Sequence, residues 1–174
     1  MAENMLELLA EIVNALGNAQ IKTWLFGGWA EELAGLCPAR LHCDIDLLYP
    51  AQNFTRLEEF MRAQGHAEEV QAKQFTHKRA FEWRGVLVEV FLVCMDAEVP
   101  ITDFFGELSF VWPQDMFSFT VKLIQEDCPC ASMAALWLYR ARHGEIEKAY
   151  KNHVLKDTAI GRGRRELPLR GTGI

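Results

Sequence analysis

The segment Val86-Leu87-Val88-Glu89-Val90-Phe91-Leu92-Val93 constrains this chain more than any other. Its β-branched and aromatic residues favour a strand, and the apolar run from Val86 to Met95 falls well short of the ~20 residues a membrane span needs. A single charge, Glu89, interrupts it. A carboxylate buried there without a partner costs several kcal/mol. Glu89 must therefore meet a cation or hold a proton at a raised pKa, unless the strand is two-faced with the acid at its solvent edge. Leu87 and Phe91 share its face by alternation, which argues against a plainly polar face.

The rest of the chain supplies a frame for such a strand. Half of the 174 residues are apolar, 24% are charged, and 18 Lys and Arg stand against 24 Asp and Glu. That balance excludes a disordered chain and a general nucleic-acid packaging protein, which would be basic. The N-terminus lacks the basic region of a secretory signal, and five cysteines read as reduced thiols of a cytoplasmic protein. Cys128-Pro129-Cys130 has neither the spacing nor the second ligand pair of a zinc site.

Apolar periodicity predicts helices over 5–16, 29–34 and 54–61, and strands over 21–26 and 43–49. Residues 74–83 and 86–95 flank Arg84-Gly85 as a β-hairpin, and short strands follow between 108 and 124. Helices are expected over 131–142 and 145–160. The alternation gives an α/β (α+β) fold: a domain over 1–126, C-terminal helices over 127–160 packed on it, and a basic tail over 161–174. The tail holds four Arg, four Gly and one Glu and is expected to be disordered.

Two further features carry chemistry. Phe26-Gly27-Gly28-Trp29 joins a strand to a helix start and would offer backbone N–H groups to an anion, although most Gly-Gly pairs are simply turns. Asp44-Ile45-Asp46 places two carboxylates on one face of a strand. Like charges so placed need compensation; a divalent cation such as Mg²⁺ supplies it, and an exposed edge strand with solvated acids is the plain alternative.

The runs Trp24-Leu25-Phe26-Gly27-Gly28-Trp29-Ala30 and Arg40-Leu41-His42-Cys43-Asp44-Ile45-Asp46-Leu47 resemble the G-G-W…R-x-H-x-D-I-D signature of small antibiotic nucleotidyltransferases. These are the lincosamide and aminoglycoside 2″-type enzymes of the polymerase-beta-like superfamily. The resemblance is strong over 24–48, moderate over 86–92 and looser over 112–132. It implies a mixed sheet flanked by helices, with two Mg²⁺ ions held by Asp44, Asp46 and Glu89. It further implies that Gly27, Gly28, Trp29, Arg40 and His42 bind the nucleotide, and that Glu89 serves as general base. Glu89 stands where the family usually has Asp, and so does Glu32; Cys43 replaces a polar residue and reads as small and buried.

The function so implied is transfer of a nucleoside monophosphate, AMP from ATP, to a hydroxyl of a small molecule, releasing pyrophosphate. The acceptor would be of the aminoglycoside or lincosamide kind, and an acidic body favours a cationic one. A homodimer is expected, with no membrane partner and nucleic acid engaged only through the basic tail. Two alternatives stand beside it: a toxin–antitoxin type nucleotidyltransferase acting on a protein or tRNA, and a non-catalytic nucleotide-binding module. Tyr139-Arg140-x-Arg142 lies on a helix that in such proteins often completes the pocket, though exposed arginines are usually just solvated. Trp24, Trp83, Trp112 and Trp137 read as core, and His66, His77, His143 and His153 form no ligand cluster.

Overall fold

The computed structural model describes residues 2–163; residues 164–174, which hold most of the expected basic tail, lie outside the described residues. The chain runs α1 (Ala2–Asn18), β1 (Trp24–Phe26), α2 (Gly27–Leu33), β2 (Asp44–Pro50), α3 (Thr55–Ala63) and β3 (Ala67–Glu69). A 3₁₀ turn (Gln71–Lys73) leads to β4 (Lys78–Trp83), β5 (Val86–Asp96), β6 (Val99–Phe104), β7 (Leu108–Val111), β8 (Phe119–Leu123) and β9 (Glu126–Cys130). Helices α4 (Met133–Ala141) and α5 (His143–Gly163) close the chain, α5 taking in the first three residues of the segment read as tail.

Seven strands line up in the order β3-β4-β5-β2-β1-β9-β8, and the β6–β7 hairpin continues from the far end of β5. The sheet is mixed: β2 runs parallel to β5 and β1 parallel to β9, while the other neighbours are antiparallel. Arg84 (φ 50°) and Gly85 (φ 78°) form the two-residue turn between β4 and β5. Two positive φ values in succession match the right-handed twist of a hairpin and set its register, Trp83 opposite Val86.

Strand alternation sorts the side chains onto two faces. Ile45 and Leu47 of β2, with Val88 and Val90 of β5, are wholly buried on one face. The partners of Val86 and Val90 on β4, Trp83 and Arg79, bond Glu11 of α1 and Glu58 of α3, so these two helices cover that face. Leu9, Ile12 and Leu16 of α1 recur at helical spacing and are fully buried. The opposite face carries Asp44, Asp46 and Glu89, with Phe26 and Phe91 beside them, and α4 lies against it through Tyr139 on Phe26, ring centroids 4.7 Å apart. Ser132 starts α4 with its hydroxyl accepting from the Ala135 N–H.

Three strands escape the sequence reading, of which β3 is only three residues long and two of them are Glu. In β6, Pro100 and alternating burial weaken the hydrophobic signal. In β9, the run Glu-Asp-Cys-Pro-Cys has poor strand propensity, yet it sits between β1 and β8. Tertiary placement overrides propensity there, because Cys128 and Cys130 bury their side chains while Pro129 faces the other way. Leu47→Ala should lower the unfolding free energy by about 2–5 kcal/mol, since it empties a fully enclosed site. Urea denaturation measures this, and a loss below ~1 kcal/mol would contradict that enclosure.

Candidate active site

Parallel pairing of β2 with β5 puts Asp46 opposite Glu89, and antiparallel pairing with β1 puts Phe26 opposite Asp46. Asp44 lies two residues back on the same face. One carboxylate oxygen from each of Asp44, Asp46 and Glu89 falls within 4.8 Å of the others. It is the one acidic, histidine or cysteine group of this kind among the described residues. Oxygen donors alone, at this spacing, suit a hard divalent cation such as Mg²⁺ and offer nothing to a thiophilic metal.

The sequence leaves Glu89 to meet a cation, hold a proton or reach a solvent edge, and the residue is buried. It meets two cations. Lys73, from the 3₁₀ turn, and Lys78, from β4, both donate to Glu89 Oε1, at 2.7 and 3.1 Å. Burial pushes the Glu89 carboxyl up, but the two ammonium groups outweigh it and hold it below its ordinary value, so Glu89 is a carboxylate. The proton falls instead to Asp46: burial, then the charges of Asp44 and Glu89, push its carboxyl up to about 8. Neither lysine emerges from the sequence reading. The signal was there for Lys78, because counting back from the Arg84-Gly85 turn sets Ala80 opposite Glu89 and Lys78 on the same face. Lys73 sits on an irregular turn that no periodicity reveals.

Gly27 and Gly28 are required by what lies against them. Gly27 has φ +63°, and a Cβ there would overlap the Asp46 carboxylate. A Cβ on Gly28 would stand 2.6 Å from His42 Nδ1 and 3.3 Å from an Arg40 nitrogen. The glycine pair thus admits the side chains of Asp46, His42 and Arg40. His42 bonds Glu32 through Nε2 at 2.7 Å, and its ring lies on Trp29 at 4.3 Å. Trp29 is buried, and its Nε1 has no hydrogen-bond partner among the described residues. Burial raises the Glu32 carboxyl, but bonds from the Arg40 N–H and His42 bring it below its usual value.

Arg40 is half exposed and only loosely tied to Glu31, at 3.4 Å. Buried Glu31 is held instead by Arg140 of α4, at 2.6 and 2.7 Å, a bidentate clasp between α2 and the C-terminal helices. The sequence singles out Arg140 but cannot supply its partner, 109 residues away. Tyr139, next to it, stacks parallel to Trp112 and edge-on to Phe26. Its contact with Phe26, the cross-strand neighbour of Asp46, puts Tyr139 beside the acids, and burial with the negative charges of Asp46 and Glu89 pushes its phenol well above the ordinary range.

Cys43 corrects the expectation of a small buried residue. It is exposed, because β2 begins only at Asp44 and position 43 still belongs to the loop. Cys128 and Cys130 are buried, and burial lifts their thiols to about 11 and about 12, so they are inert. A groove of about 860 Å³ opens beside Trp29, Arg40 and His42, but α1 supplies much of its wall and none of the three acids lines it. The acid cluster therefore sits apart from that groove.

The profile of the family described as aminoglycoside-2''-adenylyltransferase matches residues 8–158. The chain belongs to this family and is a nucleotidyltransferase. Among solved structures it is similar to ANT(2'')-Ia in complex with adenylyl-2''-tobramycin, at 19% identity and a TM-score of 0.61, with 92% of each chain covered. It is similar also to the lincosamide antibiotic adenylyltransferase LnuA, lincomycin-bound, at 16% identity and a TM-score of 0.61, covering 82% of this chain and 94% of that one. A protein of Thermotoga maritima shares the fold at 17% identity and a TM-score of 0.61, covering 91% and 96%. At these identities the neighbours establish the fold. No curated protein sequence matches the chain. No helix among the described residues is long and apolar enough to cross a membrane.

The raised Asp46 carboxyl ties stability to pH. A group whose pKa rises on folding, here from 3.8 to about 8, contributes stability that is present below the lower value and lost through the higher one. Buried His77, whose imidazole burial pushes down to about 3, contributes the opposite slope below about pH 6.5 in the wild type and in Asp46→Asn alike, so the Asp46 contribution is read from their difference. In metal-free buffer the stability of the wild type relative to Asp46→Asn should fall as pH rises from about 4 to about 8. Urea titrations of both proteins across the window check this; parallel curves would contradict the shift.

Proposed function

We propose that this nucleotidyltransferase moves AMP from ATP to a hydroxyl of a small antibiotic-like molecule, of the aminoglycoside or lincosamide class, and releases pyrophosphate. The convergence of Asp44, Asp46 and Glu89 within 4.8 Å carries the reading, on a chain of a family described by that chemistry. Asp44, Asp46 and Glu89 would hold Mg²⁺, two ions as the resemblance implies. When bound, such ions supply the positive charge that an in-line displacement at phosphorus needs.

The chain's own residues take the remaining parts. Glu89, held as a carboxylate by Lys73 and Lys78, would accept the proton of the acceptor hydroxyl. Gly27 and Gly28 let the nucleotide phosphates approach the backbone. Arg40, loosely tied and half exposed, offsets the charge of the departing pyrophosphate. His42 lines the same corner, fixed by Glu32, with Trp29 acting from beneath it. Tyr139 and Arg140 bring the C-terminal helices over the site and wall off the acceptor side. An acidic centre under an aromatic wall suits a cationic, ring-bearing acceptor. A cytoplasmic, homodimeric enzyme working without a membrane partner completes the proposal.

Pyrophosphate release measured with MgATP across a panel of aminoglycosides and lincosamides tests it. The wild type should turn over at least one acceptor. Asp44→Ala with Asp46→Ala should abolish turnover, and Glu89→Gln should cut kcat by at least about 10²-fold. No release with any panel member, or full activity in the doubly substituted protein, would sink the assignment.

A further inference from the structure

Glu89 is compensated twice over on a single oxygen. Both ammonium groups converge on Oε1, Lys78 from the hairpin partner strand and Lys73 from the turn before it. A structural counter-ion needs only one. The two lysines also differ in freedom. The Lys73 side chain is 42% exposed and can swing into solvent, whereas Lys78 is 11% exposed. Lys78 has a second favourable seat, however, because its ammonium already lies 5.6 Å from the Phe75 ring and 5.5 Å from the Phe91 ring.

We propose that Lys73 and Lys78 serve two ligands in turn: they neutralise Glu89 while the site is empty and bind the polyphosphate of the nucleotide once it is loaded. The inference rests on the nucleotidyl-transfer reading above and assigns two residues to that site. A divalent cation arriving alone competes with both ammonium groups for Glu89 and is repelled by them. A nucleoside triphosphate arriving with its cation brings phosphate oxygens to which the displaced ammonium groups transfer, and lysine binds phosphate as a point charge. Metal and nucleotide then bind with positive coupling, and the lysines are its source. Arg40 does not duplicate them, because its contacts lie with Glu31 and Glu32 near Gly28 rather than with Glu89.

Titration of Mn²⁺ followed by the electron paramagnetic resonance of the free ion tests this without turnover. It is run on the wild type, Lys73→Met, Lys78→Met, the double variant and Lys78→Arg, with and without a non-hydrolysable ATP analogue. In the wild type the analogue should tighten Mn²⁺ by about 5–150-fold, the usual range of site coupling. Each Met variant should bind Mn²⁺ alone at least about fivefold more tightly than the wild type while binding the analogue more weakly, and the double variant should show almost no coupling. Lys78→Arg should retain most of it. Lys73→Met, on its exposed turn, carries the test if Lys78→Met does not fold. Variants with wild-type Mn²⁺ affinity and coupling would overturn the inference and leave the nucleotidyl-transfer reading standing. A wild type that binds no Mn²⁺ even with the analogue would overturn both.

Discussion

Three carboxylates stand on adjacent strands because β2 and β5 run parallel in one register, Asp46 opposite Glu89. At such spacing their mutual repulsion is worth several kcal/mol unless something offsets it. Two different devices do so. Lys73 and Lys78 supply positive charge at Glu89, and Asp46 keeps its proton to about pH 8. As proposed, a cation arriving with its phosphates would draw the ammonium groups away from Glu89. The fold must in any case stabilise this crowding of acids elsewhere.

The stabilisation comes from the hydrophobic frame. One face of β2 and β5 is sealed under α1 and α3 with wholly buried aliphatic side chains, which leaves the register of the two strands no freedom. A slip by one residue would turn Ile45 and Leu47 outward and drive the aspartates into the core. On the other face the aromatic group of Phe26, Phe91, Trp112 and Tyr139 excludes water beside the acids. The Arg140–Glu31 clasp ties α4 to α2, so the helix that carries Tyr139 is joined directly to the glycine turn.

Much of this is legible residue by residue. The helices over 5–16 and 54–61, the strand over 43–49 and the Arg84-Gly85 hairpin all follow from local periodicity and turn chemistry, which act over a few residues. The acid triad is legible for the same reason: two of its members are two residues apart, and the third is conspicuous in an apolar strand. What is missed is non-local or contradicts local propensity. β9 is a strand because of the slot between β1 and β8, not because Glu-Asp-Cys-Pro-Cys prefers to be one. Glu31 and Arg140 reveal their pairing only when helices distant in sequence meet. Cys43 is exposed because strand alternation begins only at Asp44, so the period that sorts the β2 side chains does not reach position 43.

By itself, then, the sequence determined an α/β domain, the strand faces, the need to compensate Glu89, and the family to which the signature points. Those follow from side-chain period and from the cost of burying a charge, which require no knowledge of neighbours. The tertiary structure alone decided how the compensation is divided. Which cations reach Glu89, which carboxyl retains the proton, and which helix wall stands over the acids depend on distances between segments brought together only by folding. Electrostatic energy varies with those distances and with burial, and neither is written in the order of the residues.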